Sequence, residues 1–275
     1  MDMKKLLTAF LCSILFTATA HASTTLESVN VYLGVLNGAG TLTGYGGVGS
    51  YTALTATGGT AGTTEDCSTG VTKTTCQNFE TATTGYDNGE TWTPAAAGGC
   101  AYNPVYATTP GRGTQSFLLT NSTGANQCFT EHTYASASTH GFFARIRVNS
   151  VAGSARVIDM WDTGYANEVM SLTWGGNDWG IHQGTASATT TSNTYSTATW
   201  WYVWVYLTTG SGANGTMNFY ASATSTKPGS PTLSITTGST TTNPVATDMA
   251  SSTTVSTVEY DQIMESTSDI GSVAP

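Results

Sequence analysis

The sequence predicts an all-β protein built as a sandwich or a barrel of short strands. Of its 275 residues, 55 are Thr and 31 are Gly. Thr is stiff at its first side-chain torsion and Gly weakens helices, so this composition favours strands and turns. Only 9% of the residues are charged and the net charge is −9, which argues against binding to a nucleic-acid phosphate backbone.

The first 22 residues have the three-part pattern of a secretory signal peptide. Lys4 and Lys5 precede an apolar run over 6–16, and Ala20-His21-Ala22 supplies a small-residue cleavage site before Ser23. The run is too short to span a bilayer permanently. We therefore expect a secreted or cell-surface protein, cleaved near Ala22, with no membrane insertion.

Four cysteines remain after that cleavage: Cys67, Cys76, Cys100 and Cys128. An even number in an exported chain predicts two disulfides, with three possible connectivities. The pairs Cys67–Cys76 and Cys100–Cys128 are favoured, the first because it closes a short loop. Zinc ligation is disfavoured, because C-x-x-C pairs and histidines at ligand spacing are missing.

Residues 23–78 differ from the rest of the chain. Gly, Thr and Ser dominate from 34 to 70, and few large apolar side chains are present to offset the entropy of ordering. We expect a stalk, or a segment that donates a strand to a neighbouring subunit, followed by a folded domain over 79–275.

Short strands separated by Gly, Asn and Thr turns follow from residue 79 onward. The predicted strands are 115–120, 128–134, 142–149, 156–161, 168–174, 179–183, 200–207, 216–222 and 254–263. Period-two alternation is clear in 142–149, where Phe142, Ala144, Ile146 and Val148 share one face. The strand 200–207 is apolar on both faces, which predicts a central position covered on both sides.

Several segments carry a resemblance to a known family. They are FE at 79–80, GYDN at 85–88, GTQSFLL at 113–119, FFARIRV at 142–148, VIDM at 157–160, VMSL at 169–172, WYVWV at 201–205, VEYDQI at 258–263 and IGS at 270–272. This pattern over about 79–272 resembles laminin-G-like, concanavalin A-like jelly-roll domains. The resemblance implies an antiparallel two-sheet sandwich whose members include lectin-like modules, adhesion modules, and glycan hydrolases and lyases.

Catalytic candidates are few. Hydrolases of the resembled family place two carboxylates on one strand, but here Asp159 and Asp162 are three residues apart and a regular strand points them to opposite faces. A lyase needs a basic Tyr or His beside a group that neutralises a uronate carboxylate. Arg145, Arg147 and His182, together with Asp159, are the candidates for such a site.

Aromatic and polar residues near predicted turns suggest a sugar-binding surface. An aromatic face packs on the apolar side of a sugar ring, while carboxylates and amides bind its hydroxyl groups. The predicted ligand-binding residues are Trp161, Asp162, Tyr165, Trp174, Asn177, Asp178 and Trp179.

Structural calcium is the metal that the sequence favours, since Ca²⁺ prefers oxygen ligands. The resemblance implies that Glu80, Asp87 and Asp261 approach one another where the first and last strands of the domain meet.

Three functions fit these observations. A secreted, non-catalytic lectin-like module that binds glycan or another surface polymer is the leading prediction. A self-assembling structural or adhesive subunit, with residues 23–78 as an intersubunit strand between identical chains, is one alternative. A diverged polysaccharide lyase or glycoside hydrolase is the other.

Overall fold

The computed structural model describes residues 74–80, 92–94, 98–108, 110–191, 194–210, 213–251 and 254–273. All regular structure in these ranges is β-strand, and no helix able to cross a membrane occurs in them. The strands are β1 (Thr75–Gln77), β2 (Thr93–Pro94), β3 (Cys100–Tyr106), β4 (Ser116–Asn121), β5 (Cys128–Thr133), β6 (Thr139–Val151), β7 (Ser154–Trp161), β8 (Glu168–Gly175), β9 (Asp178–Gln183), β10 (Ala186–Thr189), β11 (Trp200–Thr208), β12 (Gly215–Ser222), β13 (Leu233–Gly238), β14 (Ala246–Ser251) and β15 (Ser256–Ser266).

The strands form two antiparallel sheets. The first sheet has the order β13-β12-β11-β6-β15-β4-β3, with β1 also paired to β15, and the second has the order β10-β9-β8-β7-β14-β5-β2. Each of the nine strands predicted from sequence is present with shifted ends. The all-β, jelly-roll sandwich is therefore confirmed.

The main core lies between the two sheets. It combines one face of β6, including Phe142 and Ile146, with Leu172, Trp174 and Trp179 of the second sheet. Trp174 and Trp179 are fully buried and meet edge to face with ring centroids 4.7 Å apart. As predicted, β11 lies inside its sheet, between β12 and β6.

A bulge in β7 sets the direction of the side chains that follow it. The pairing of β7 with β8 shifts register between Arg156 and Ile158, and Val157 and Ile158 both belong to the core. The extra residue places Arg156 and Asp159 on the same outer face, although regular alternation would separate positions three apart.

Tyr260 connects the two sheets at this bulge. Its hydroxyl lies 2.8 Å from the carbonyl oxygens of Val157 and Ala250, and the side chain is fully buried. A buried carbonyl without a partner is costly. The Tyr260 hydroxyl therefore stabilises the bulged conformation of β7.

A second polar connection between the sheets surrounds Glu265. The Glu265 carboxylate lies 3.1 Å from His132 Nδ1 on β5 and 3.8 Å from His140 Nε2 on β6. Burial raises the pKa of Glu265, but the hydrogen bonds and charges of the two histidines outweigh it and lower the pKa to about 2. Glu265 therefore stays ionised between the sheets.

The disulfide Cys100–Cys128 is present as predicted. Cys76 is also disulfide-bonded, while its predicted partner Cys67 lies outside the described residues, as do the signal peptide and residues 23–73. Because β1 pairs with β15, residues 75–77 already belong to the sandwich, ahead of the predicted boundary at 79. Disulfide bonding fits the expected export.

We predict that Tyr260→Phe lowers the free energy of unfolding by about 1–3 kcal/mol, because the carbonyls of Val157 and Ala250 lose a buried donor. Chemical denaturation of both proteins measures the difference. Tyr165→Phe is the matched control, because Tyr165 is 48% exposed and its substitution leaves the core unchanged. Equal stability of Tyr260→Phe and the parent would contradict this role.

Candidate functional site

A row of polar side chains crosses the outer face of the second sheet. Strand pairing aligns Glu131 with Asp248, Asp248 with Asp159, Asp159 with Ser171, and Ser171 with His182. Core residues flank Asp248, Asp159, Ser171 and His182 along their strands, so these four face outward. Glu131 lies on the same face as the register partner of Asp248. We call these five residues, Glu131, Asp248, Asp159, Ser171 and His182, the polar row.

Arg156 supplies the positive charge at the centre of the row. Its Nη1 lies 3.9 Å from Asp159 Oδ2 and 2.7 Å from Glu168 Oε2, and its side chain is 37% exposed. Asp159 Oδ2 also accepts a hydrogen bond of 3.2 Å from Gln127 Nε2. The guanidinium is thus held on the sheet surface and remains accessible to a ligand.

Several buried oxygens of the polar row have no hydrogen-bond partner among the described residues. Asp159 Oδ1, Asp248 Oδ1 and Ser171 Oγ are unpaired, although these residues are at most 2% exposed. Buried polar groups are normally paired. These oxygens are therefore available to accept or donate a further hydrogen bond.

Burial raises the pKa of two carboxyl groups of the row. Burial, with a smaller contribution from the charge of Glu131, raises the pKa of Asp248 to about 8 against a hydrogen bond from Trp161. Burial likewise raises the pKa of Asp159 well above its usual value, against the opposing charge of Arg156. At neutral pH the Asp248 carboxyl is therefore mainly protonated and can donate a hydrogen bond.

Two aromatic residues flank the acidic half of the row. Trp161 is half-buried and hydrogen-bonds to Asp248. Tyr165 is exposed, lies in a turn with φ of 56°, and hydrogen-bonds to Glu131. Their rings give this end of the face a surface suited to a sugar ring.

His182 lies at the other end of the row in an open pocket. The pocket has a volume of about 470 Å³ and is lined by His182, Thr173, Gly180 and Thr189, among others. The cross-strand partners of His182 are Ser171 and Ser187. Small side chains on both sides leave the imidazole accessible.

The structure separates the predicted lyase residues. Asp159 and His182 belong to the polar row, but Arg145 and Arg147 lie on the outer face of the first sheet. There Arg145 stacks over Tyr202 at 4.8 Å and Arg147 pairs with Glu259 at 3.1 Å. The prediction that these arginines join His182 is wrong, because their strand belongs to the other sheet.

The predicted sugar-binding set is also divided. Trp161 and Tyr165 are on the polar face, but Trp174 and Trp179 are buried in the core and cannot contact a ligand. The carboxylate of Asp162 accepts hydrogen bonds from the backbone and the side chain of Asn167, which fixes a turn.

Asn177 and Asp178, the two predicted sugar-binding residues that precede Trp179, lie at a different turn. Asn177 is exposed, with φ of 64°, and Asp178 accepts a hydrogen bond from Thr190. Asp178 also lines the His182 pocket.

The calcium prediction remains untested. Glu80 accepts hydrogen bonds from Thr114, and Asp261 accepts one of 2.7 Å from the Arg112 amide. Asp87 lies outside the described residues. No cluster of three or more metal-ligating side chains occurs in the part of the chain that the structure describes.

Sequence reasoning missed Arg156, Asp248, Glu131 and Gln127. Only the bulge reveals that Arg156 and Asp159 share a face. Asp248 lies in β14, whose ATDMAS sequence has no run of large apolar residues. Arg156 is the first residue of the predicted strand 156–161, and this charged residue at a strand end was the signal available for it.

Comparisons with known proteins support the fold. No family model and no curated protein matches the sequence. The fold is similar to endo-β-1,4-glucuronan lyase from Trichoderma reesei, with a TM-score of 0.52 and 13% identity over 73% of this chain and 98% of that one. It is also similar to the cellulose induced protein Cip1 (TM-score 0.52, 17% identity, 72% and 99% covered). A third similar structure is the PL-14 alginate lyase from Aplysia kurodai (TM-score 0.51, 5% identity, 72% and 100% covered).

These neighbours correct the leading functional prediction. Two of the three are polysaccharide lyases, which contradicts a non-catalytic lectin-like module and favours the lyase alternative. The burial of Trp174 and Trp179 removes the aromatic pair on which the lectin prediction partly depended. At these identities the comparisons establish the jelly-roll sandwich fold alone. The laminin-G-like assignment stays a prediction.

We predict that Asp248→Asn stabilises the protein relative to the parent increasingly as pH rises from about 4 to about 8. Folding raises this pKa from 3.8 to about 8, so the stabilisation from the protonated carboxyl is fully present below about pH 4 and is lost as pH rises through 8. At pH 9 the variant should exceed the parent by at least about 1.4 kcal/mol, the free energy of one pKa unit. Denaturation at pH 5 and 9 measures the effect.

Asp269→Asn is the control for this experiment, because Asp269 is 47% exposed in a surface ion pair and such pairs contribute little. The free energy of unfolding of Asp269→Asn should equal that of the parent at pH 5 and at pH 9. A difference between Asp248→Asn and the parent that is the same at pH 5 and 9 would contradict the assignment.

Proposed function

We propose that the protein is a polysaccharide lyase that cleaves a uronate-containing glycan by β-elimination. The observation that carries the proposal is the placement of Arg156 at the centre of the polar row, two strands from His182. An accessible guanidinium can bind the uronate carboxylate, and an accessible imidazole can act as a general base.

The chemistry requires three events on one sugar. Arg156 binds the uronate carboxylate and offsets the negative charge that develops when the adjacent C5–H proton is removed. His182 accepts that proton as general base. The electron pair forms the C4=C5 double bond as the C4–O4 bond breaks, and the departing oxygen takes a proton to become the hydroxyl of a new reducing end.

The surrounding face supports binding of a polymer. The polar row crosses five adjacent strands, which at the usual strand spacing is about 19 Å from β9 to β5. Trp161 and Tyr165 lie toward one end and the His182 pocket toward the other. A site of this length suits several sugar units, and two structural neighbours are named as lyases of uronate polymers.

The test uses purified protein with glucuronan, alginate and polygalacturonate, and measures the ultraviolet absorbance of the conjugated product. We expect cleavage of at least one polymer. His182→Ala should lower kcat by about 10²- to 10⁴-fold, the usual contribution of general base catalysis. Arg156→Lys should mainly raise KM, because it keeps the charge but loses the planar fork.

The control variant is Asn218→Ala, on the outer face of the first sheet, which should keep parental activity. Failure to form an unsaturated product from any uronate polymer would contradict the proposal. So would His182→Ala activity equal to that of the parent.

Glycoside hydrolysis is a second candidate, because Glu131, Asp248 and Asp159 are aligned on three adjacent strands. The Cβ atoms of residues directly opposite each other on neighbouring strands lie about 4.5–5.5 Å apart. This distance is close to the roughly 5 Å that separates the two carboxyl groups of retaining glycosidases. New reducing ends without ultraviolet absorbance would identify this reaction in the same assay.

A further inference from the structure

We propose that the pocket beside His182 binds a neutral sugar unit next to the uronate that Arg156 holds. This binding role rests on the proposed lyase function and names the neighbouring unit of the polymer. The preferred substrate is accordingly a glycan in which the cleaved uronate is joined to a neutral sugar, rather than a chain of uronates alone.

Strand pairing places the pocket directly beside Arg156. Arg156 on β7 is the register partner of Thr173 on β8, and Thr173 is the register partner of Gly180 on β9. Asp178 and His182 lie two residues to either side of Gly180, on the same face of β9. A uronate that extends from Arg156 toward His182 therefore leaves the Asp178 end of the pocket for the next unit of the polymer.

Two glycines form the floor of the pocket. Gly180 lies between Thr173 and Thr189, and a Cβ atom at Gly180 would overlap Thr173 Oγ1. Gly175 is the register partner of Ser154, and a Cβ atom there would lie 2.8 Å from the Cβ of Ser154. The cavity above this floor has a volume of about 470 Å³, within the range of about 300–1,000 Å³ that is usual for small-molecule sites.

The side chains that line the pocket are suited to hydroxyl groups. Ser154, Thr173 and Thr189 supply hydroxyls, which both donate and accept, and Asp178 supplies a carboxylate, which accepts. Neither Lys nor Arg occurs among the described residues that line the pocket. Sugar hydroxyls both donate and accept hydrogen bonds, so this lining can satisfy a neutral sugar.

The carboxylate of Asp178 is held in place at one end of the pocket. Thr190 Oγ1 donates a hydrogen bond of 2.7 Å to Asp178 Oδ1 and accepts one of 2.9 Å from the Trp179 amide. Two like charges about 6 Å apart at a partly solvated site change an equilibrium constant by on the order of tenfold. Asp178 therefore disfavours a second uronate here, while it accepts hydrogen bonds from a neutral sugar.

Two matched β-1,4-linked trisaccharides test the pocket. Each has a central glucuronate, which is flanked on both sides by glucose in one ligand and by glucuronate in the other. Binding is measured by calorimetry at low ionic strength on the His182→Asn protein, which lacks the general base but keeps a polar side chain, so that the ligands stay intact. We expect the glucose-flanked ligand to bind on the order of tenfold more tightly.

Asp178→Asn, made in the same background, identifies the source of this preference. The amide keeps an oxygen that can accept from Thr190 and removes the negative charge. Binding of the triuronate should therefore tighten by on the order of tenfold, while binding of the glucose-flanked ligand stays unchanged. Asp269→Asn is the control, because it removes the same charge from an exposed ion pair after β15 and should keep the parental preference.

Gly180→Ala tests the shape of the pocket. The added methyl group narrows the cavity at Thr173 and should weaken binding of both trisaccharides by at least about tenfold. Gly229→Ala is the matched control, because a Cβ atom at Gly229 meets nothing within 4 Å. Thermal unfolding shows whether Gly180→Ala is folded; if it is not, Asp178→Asn alone decides the result.

The neutral-sugar site is overturned by equal binding of the two trisaccharides, by an unchanged preference in Asp178→Asn, or by failure of both ligands to bind. Cleavage of the same pair by the parent separates this outcome from that of the lyase function. Unsaturated product formed equally well from both ligands would support the lyase and reject the neutral-sugar site. Selective binding without product would do the reverse.

Discussion

The contact between the Tyr260 hydroxyl and the Val157 carbonyl is the constraint on which the candidate site depends. Without the bulge at Val157, Arg156 and Asp159 would point to opposite faces of β7. The bulge leaves a carbonyl facing the core, and Tyr260 from the other sheet supplies its partner at 2.8 Å. Tyr260, a core residue, thus fixes the position of the Arg156 side chain on the surface.

The same closing strand, β15, also aligns the remainder of the sandwich. It pairs with β6, β4 and β1 in the first sheet, and Glu265 reaches His132 of the second. A buried carboxylate is tolerated only when it is paired and hydrogen-bonded. Polar contacts of this kind specify which faces of the two sheets meet, a role that interchangeable apolar contacts perform less well.

Sequence patterns predicted the strands whose side chains alternate between apolar and polar. They failed where tertiary contacts decide whether a segment is a strand and which way its side chains point. The strand over 142–149 alternates clearly and was predicted, whereas β14, with ATDMAS, is a strand because β7 and β5 pair with both its edges. Trp174 and Trp179 flank turn residues, yet alternation directs both rings into the core. Asp159 and His182 were identified from sequence. The position of Arg156 on the same face depends on a bulge that no local sequence pattern predicts.

Carboxyl groups on the outer faces of the two sheets have different hydrogen-bond partners. On the first sheet, Glu259 receives hydrogen bonds from Arg147 and Asn149, which is the pairing expected of a structural carboxylate. On the second sheet, Asp248 and Asp159 each keep a buried oxygen unpaired. Unsatisfied buried groups lower stability and tend to persist where function requires them. The carboxyl groups of the second face are therefore compatible with the proposed ligand-binding role of that face.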